Sequence, residues 1–214
     1  MKPFLTIVAS LLLWVLPAAV PAQGVPDLFL QAEELDRQGF FEDAIQAWKK
    51  ALAANLGKDQ QVVARIKLSM DHYKLNQFDI AVEHAQALVK SEPENFHANF
   101  HLGNILSGLN RFPDAIAAYE KAVKLRPDEG LGYAGLALCL YGNGQTQEAI
   151  ARLTEAKQIF KDKKNISWHR DTQLMMQQIK MFDQAGYPPS FSNLWLKNNL
   201  NLVRETYEKT TFNQ

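Results

Sequence analysis

The sequence predicts an all-α protein built of stacked helical hairpins, and three observations predict it. Gly39, Asn76, Asn110 and Gly144 are each followed five residues later by an alanine: Ala44, Ala81, Ala115 and Ala149. Successive alanines are therefore separated by 37, 34 and 34 residues, a period in the range of helical solenoids. Each alanine opens an amphipathic run: Ala44-Ile45 with Trp48 and Ala51-Leu52, Ala81-Val82 with Ala85 and Leu88-Val89, Ala115-Ile116 with Tyr119 and Ala122-Val123, and Ala149-Ile150 with Leu153 and Ala156. That i, i+3, i+4, i+7 spacing sets the apolar residues on one helical stripe. A second helical run precedes each Gly or Asn, so every unit reads helix, turn, helix.

The chain begins with a segment that does not share this pattern. Met1-Lys2-Pro3 carries one positive charge, Phe4 to Leu16 is uncharged and mostly apolar, and Pro17-Ala18-Ala19-Val20-Pro21-Ala22 ends the segment with small residues. A charged start, a short apolar middle and a small-residue end make a secretory signal peptide, expected over 1–22 with cleavage after Ala22. The apolar run of thirteen is short of the roughly 20 residues that span a bilayer, which leaves an uncleaved membrane anchor as the alternative. The expected product is periplasmic or secreted, with no membrane span after cleavage.

Four units follow within 23–163, at about 25–58, 62–95, 96–129 and 130–163. Small residues at Ala32, Ser69, Gly103 and Ala137 let each first helix approach its partner, while Trp48, Tyr119 and Leu153 fill the space beside that contact. Gly39, Asn76, Asn110 and Gly144 suit the left-handed backbone that ends a helix, which Gly and Asn enter most cheaply. Pro93 and Pro127 close second helices, and Asn95 and Asp128 are placed to cap the helices that follow. The three extra residues between the first two units fall in Gly57-Lys58-Asp59-Gln60, a polar connector.

These residues resemble the tetratricopeptide repeats. The third unit is the fullest match, with Leu102-Gly103 in its first helix, Phe112 after the turn, Ala115, Tyr119 and Ala122 in its second helix and Pro127 at its end. It departs at Asn99 and Leu106, where the family often carries large aromatics. The resemblance covers roughly residues 25 to 163. It implies a right-handed superhelix and, with the leader, an exported bacterial member of the family.

Beyond Lys161 the period is lost. Residues 164–214 are expected to form C-terminal capping helices or a degenerate fifth repeat, because solenoid ends expose core. One helix is expected over 165–185 with Leu174, Ile179 and Phe182 on its buried side. Gly186-Tyr187-Pro188-Pro189 breaks it. A last helix is expected over about 190–209, with Phe191, Leu194, Trp195, Leu200, Leu202 and Val203 as its apolar content.

The resemblance also implies where binding takes place. First helices of successive repeats line a concave surface that receives peptides or helices of partner proteins. Mapped by helical phase, that surface presents Ile66, Met70, Tyr73 and Lys74 in the second unit, His97, Phe100, His101 and Asn104 in the third, and Leu138 and Tyr141 in the fourth. Phe29, Glu33 and Asp36 stand at the corresponding places of the first unit. Only Lys67, Lys74 and Asn104 could contribute to a clamp for a terminal carboxylate, which argues against one. No charged residue lies between Glu129 and Glu148, so the helix from Gly130 to Tyr141 is apolar all round and must be covered all round. Either the chain's own helix near Trp195 covers it or a partner does.

Composition narrows the chemistry. Lys plus Arg and Asp plus Glu each number 23, so no basic stripe is available to neutralise phosphates and nucleic acid is not an expected partner. The single cysteine, Cys139, lies among Leu136, Leu138 and Leu140 and is expected to be buried and inert. There is no Gly-rich phosphate loop, no CxxC and no CxxCH, so neither an enzyme nor a bound cofactor is expected. His97 and His101, four apart on one helix, could share a metal but lack a third ligand in sequence. The expectation is a non-enzymatic interaction scaffold or assembly factor of the periplasm that holds a protein or peptide segment in its groove. The alternative is a metal- or haem-handling maturation factor of the cell envelope.

Overall fold

Residues 25–54 and 56–212 are described by the structure, a computed structural model; the expected leader at 1–22 lies outside them. Eight helices come in four successive pairs: α1 (Val25–Gln38) with α2 (Phe41–Ala53), α3 (Lys58–Lys74) with α4 (Phe78–Ser91), α5 (Phe96–Gly108) with α6 (Phe112–Leu125), and α7 (Gly130–Gly142) with α8 (Thr146–Asp162). Two more follow, α9 (Ile166–Gln184) and, after a 3-10 turn at Pro189–Ser192, α10 (Asn193–Phe212). Each helix from α1 to α8 packs on the next in the chain, the arrangement of an all-α solenoid.

The turns repeat one piece of backbone chemistry. Gly39, Asn76, Asn110 and Gly144 all have positive φ, between 57° and 83°. The residue after each donates its N–H to a carbonyl five positions back: Phe40 to Leu35, Gln77 to His72, Arg111 to Leu106 and Gln145 to Leu140, at 2.8–3.0 Å. These bonds satisfy carbonyls that the end of a helix leaves open. The same bond recurs from Asn165 to Phe160 behind Lys164, whose φ is 56° although it is neither Gly nor Asn. Asn95 caps α5 by accepting from the Ala98 N–H at 3.1 Å. Asp128 does not cap α7 as expected; Glu129 accepts from the Leu131 N–H, while Asp128 reaches Lys163 at 3.0 Å.

Close approach of the helices rests on small residues facing large ones. Tyr119 of α6 is wedged between α5 and α7: a Cβ on Gly103 would lie 3.0 Å from its ring, and one on Gly135 only 2.6 Å. Its hydroxyl donates to Asn104 Oδ1 at 2.7 Å, which satisfies the polar end of a fully buried side chain. In the first pair Trp48 is equally enclosed and meets Phe29 edge-on at 5.2 Å. Ser69 ties α3 to α4 through a 2.8 Å bond to the Ala81 carbonyl. Cys139 is buried, and its apolar surroundings push the thiol pKa far above the usual range.

The last two helices close the array in different ways. α9 covers α8 through Trp168, Met175, Met176 and Ile179, with Phe160 stacked on Trp168 at 5.4 Å. Leu174, expected on the buried side, is instead 48% exposed, because the stripe centres on Met175 and Ile179 one residue further round the helix. α10 turns back from the end and packs on α7 and α5. Its buried stripe is Leu196, Leu200, Val203 and Tyr207; Phe191, Leu194 and Leu202, expected among its packing residues, face outward.

Candidate functional site

α10 lies along the concave face and crosses the first helices in reverse order of the chain. At its start the Ser192 hydroxyl is 2.8 Å from the Tyr141 hydroxyl, and Trp195 meets the Tyr141 ring at a right angle, 5.6 Å away. Leu196 approaches the end of α7 so closely that a Cβ on Gly142 would lie 2.9 Å from its Cδ2. Further along, Tyr207 sits over Phe100 of α5 with ring centroids 4.1 Å apart, and its hydroxyl meets His97 Nδ1 at 2.6 Å. At the far end Phe212 packs against the cluster of Val62, Ile66, Met70, Leu88 and Ala98, with the Lys67 ammonium 5.6 Å from its ring centre.

Sequence periodicity explains why α10 can do this. Leu196, Leu200, Val203 and Tyr207 are spaced by four, three and four residues, which puts them on one helical face. Burying such side chains contributes about 1.5–3 kcal/mol each. The apolar α7 supplies the receiving surface, and Leu131, Ala134, Leu138 and Tyr141 share one continuous core with the α10 stripe. Of the two covers open to that helix, the chain's own is the one present.

The residues expected to line a partner groove divide into three groups. His97, Phe100 and Tyr141 are in direct contact with α10. Ile66 and Met70 belong to the cluster beneath Phe212, and Asn104 and Leu138 are interior, Asn104 being held by Tyr119. Tyr73, Lys74 and His101, with Met70, line a cavity of about 370 Å³ at the edge of α10, closed on the other side by Arg204, Glu205 and Glu208. The Arg204 guanidinium stands 5.2 Å over the Tyr73 ring.

Burial shapes the protonation of this surface. Loss of water around His97 holds its pKa down at about 4, with Arg126 adding to the effect. His101, fully enclosed and near Arg204, is held at about 3. Both imidazoles are therefore neutral at pH 7, and both have hydroxyl partners, His101 Nε2 lying 2.9 Å from Ser69 Oγ. Their bonded nitrogens face different helices, α10 and α3. Among the described residues no group of three or more His, Cys, Asp or Glu is placed to hold a metal ion.

A charged network at the α1 end was only partly visible in sequence. Asp36 accepts from Lys67 at 2.8 Å and from Lys74 at 2.6 Å, and Lys67 is only 6% exposed. Burial works against the Asp36 carboxylate, but the two ammonium groups outweigh it and hold its pKa below the usual range. Neighbouring Asp71 is pushed up by its own burial and by the charge of Asp36, while the Trp48 indole N–H donates to it at 3.2 Å. These lysines are thus committed to internal carboxylates. Beside them opens a cavity of about 500 Å³ between α1, α3 and the end of α10, lined by Leu30, Glu33, Lys67, Lys74, Glu208 and Phe212 among others. Tyr207, Arg204, Glu208 and Phe212 are not among the residues that helical phase points to, although Tyr207 continues the apolar stripe of Leu196, Leu200 and Val203.

Comparison with known proteins agrees with this architecture. The tetratricopeptide repeat profile matches residues 66–128 and 103–163. Superkiller complex protein 3 of Homo sapiens is 30% identical over 78 residues, which is 36% of this chain and 5% of that protein, so the chain spans a small fraction of that relative. Among solved structures, MamA MSR-1 superposes with a TM-score of 0.54 at 21% identity, over 68% of this chain and 82% of that one. The MamA RS-1 double mutant does so with a TM-score of 0.60 at 16% identity, over 86% and 97%. At such identities the likeness concerns the fold. No helix among the described residues is long and apolar enough to cross a membrane. The chain is an all-α solenoid of successive helix pairs, like the tetratricopeptide repeats and with the fold seen in MamA, ending in a helix pair that closes it.

Proposed function

We propose that this protein is a non-enzymatic interaction scaffold or assembly factor whose concave groove holds a helical segment of a protein partner. The observation that carries the proposal is α10 itself, an amphipathic helix seated across α7, α5 and α3. A groove that accepts this helix has the width, the apolar floor and the hydrogen-bonding groups to accept another of the same kind. The polar residues beside α10, His97 and His101, give it selectivity that a purely apolar surface lacks. The leader expected at 1–22 supports work in the periplasm.

A photo-activatable cross-linker at Asn76, on the rim of the groove, tests the reading in growing cells. A discrete cross-linked partner is expected there and not from the same probe at Glu120 on the opposite surface. The same pattern from both positions, or none from Asn76, would sink the groove assignment. Export is tested separately by fractionation and by the N-terminal sequence of the mature chain, expected to start at Gln23.

A further inference from the structure

The elbow that carries the chain from α9 into α10 has apolar side chains on two sides. Its inner side is accounted for by packing. The Ser192 hydroxyl meets that of Tyr141, while Trp195 packs on Tyr141 and Phe182 and donates its indole N–H to Gln178. The outer side has no such cover: Tyr187, Phe191 and Leu194 are 47%, 64% and 73% exposed. The Tyr187 and Phe191 rings stack on each other with centroids 4.2 Å apart. Phe191 and Leu194 stand three residues apart where the 3-10 turn runs into α10, a spacing that sets them on one side. A single exposed leucine is ordinary, whereas large apolar side chains gathered in water mark an interaction surface.

Two further properties indicate what this surface takes. The first is charge: no charged residue lies between Asp183 and Lys197. Lys180 and Lys197 flank the elbow, both exposed and without an ion pair among the described residues, against the single carboxylate of Asp183. The second is the backbone. Gly186, Tyr187 and Phe191 donate their N–H groups to the carbonyls of Asp183, Phe182 and Pro188 at 2.9–3.0 Å, and Pro188 and Pro189 have no N–H to satisfy. Taking the elbow out of water therefore leaves few donors unpaired, which removes the main cost of placing a turn in a less polar medium. A stacked Tyr–Phe pair with a leucine, uncharged at the tip and net positive at the flanks, matches the lipid–water interface. Aromatic rings settle there at headgroup level, and lysines meet anionic phosphates.

We propose that the α9–α10 elbow is a contact for an anionic lipid surface, with Tyr187, Phe191 and Leu194 entering the interfacial region and Lys180 and Lys197 meeting the headgroups. The contact is peripheral and involves no membrane span. Its apolar area is small, so attachment through one elbow is reversible. Clamping of Ser192 and Trp195 on the inner side holds the outer side chains in place, which spares the entropy of ordering them at the membrane. Phe191 and Leu194 face away from the side that packs on α7, so lipid and a groove-bound segment are held together without competing. The proposal does not depend on the groove reading above.

The experiment sediments the exported chain with vesicles of phosphatidylethanolamine and phosphatidylglycerol. The chain is expected to sediment with them, and Phe191→Ser combined with Leu194→Ser to lower the partition coefficient by about tenfold. Both side chains are exposed, so the thermal unfolding of this variant is expected to match that of the parent. Lys180→Ala combined with Lys197→Ala should weaken binding to the anionic vesicles by about threefold and leave binding to phosphatidylcholine vesicles unchanged. A polarity-sensitive dye on Ser190→Cys should shift to the blue when vesicles are added, and the same dye on Glu120→Cys should not; Cys139 is buried and takes no label. No sedimentation, sedimentation unaffected by the serine pair, or a silent dye at position 190 would overturn the proposal. Lysine variants that bind anionic vesicles as the parent does would overturn the headgroup assignment. If the serine pair instead turns a dimer into a monomer in sedimentation velocity, with no vesicle binding, the elbow joins two copies of the chain and the lipid proposal falls. Partner capture at Asn76 is independent of all these results.

Discussion

The Tyr207 hydroxyl lies 2.6 Å from Nδ1 of His97, joining the last helix to the first turn of α5 across 110 residues of sequence. Burial keeps the imidazole neutral and the phenol protonated, so the two groups share one neutral hydrogen bond whose direction follows the imidazole tautomer. The bond fixes the depth at which α10 sits over Phe100.

Replacing Tyr207 by Phe keeps the ring over Phe100 but leaves His97 Nδ1 without its hydroxyl partner. A loss of about 1–2 kcal/mol in stability is expected, seen as a lower urea midpoint with an unchanged slope. An equally stable variant would show that the bond is replaced by water.

Acid should loosen the concave face. His97 and His101 have folded pKa values of about 4 and 3, below the usual 6.5, so between those values the unfolded chain binds more protons. Their contribution is complete above pH 6.5 and is lost as pH falls through about 4 for His97 and about 3 for His101. Glu33, Asp71 and Glu208, raised by burial, run the other way, favouring the folded state as pH falls. His101→Gln therefore separates the two effects: the drop in urea midpoint between pH 7 and pH 5 should shrink. An unchanged drop would assign the pH dependence to other groups.

Asp36→Asn leaves the Lys67 ammonium buried without a counter-charge. Removing one partner of a buried pair destabilises by about 3–5 kcal/mol, whereas replacing both by apolar residues is often neutral. Thermal unfolding should rank Asp36→Asn well below the double variant Asp36→Leu with Lys67→Met. The opposite ranking would mean that Lys74 and Asp71 compensate.

Gly135→Ala places a methyl group 2.6 Å from the ring of Tyr119, whose ring would also lie 3.0 Å from a Cβ on Gly103. Overpacking of this kind destabilises by about 1–3 kcal/mol. Adding Tyr119→Leu should recover part of the loss in a double-mutant cycle. Simple additivity would show that the backbone, not the ring, gives way.

Much of the fold was legible residue by residue. The small positions Ala32, Ser69, Gly103 and Ala137 and their bulky neighbours Trp48, Tyr119 and Leu153 repeat within each unit, because each helical hairpin solves the same packing problem with its own residues. The left-handed turns at Gly39, Asn76, Asn110 and Gly144 were legible for the same reason, since turn chemistry is local. Lys164 adopts that conformation too and was not, because Lys has no preference for it.

The groove was legible only from one side. Helical phase identified His97, Phe100 and Tyr141 as concave residues, and the charge-free α7 required a cover. Which element provides it is not written in any local period. The place of α10 depends on the shape and hydrogen-bonding groups of a surface assembled from three separate hairpins, and Asp36 meets Lys67 only once α1 and α3 lie side by side. A 34-residue repeat encodes how neighbours stack, and the long-range fit of the last helix to the whole stack arises only when the stack has formed.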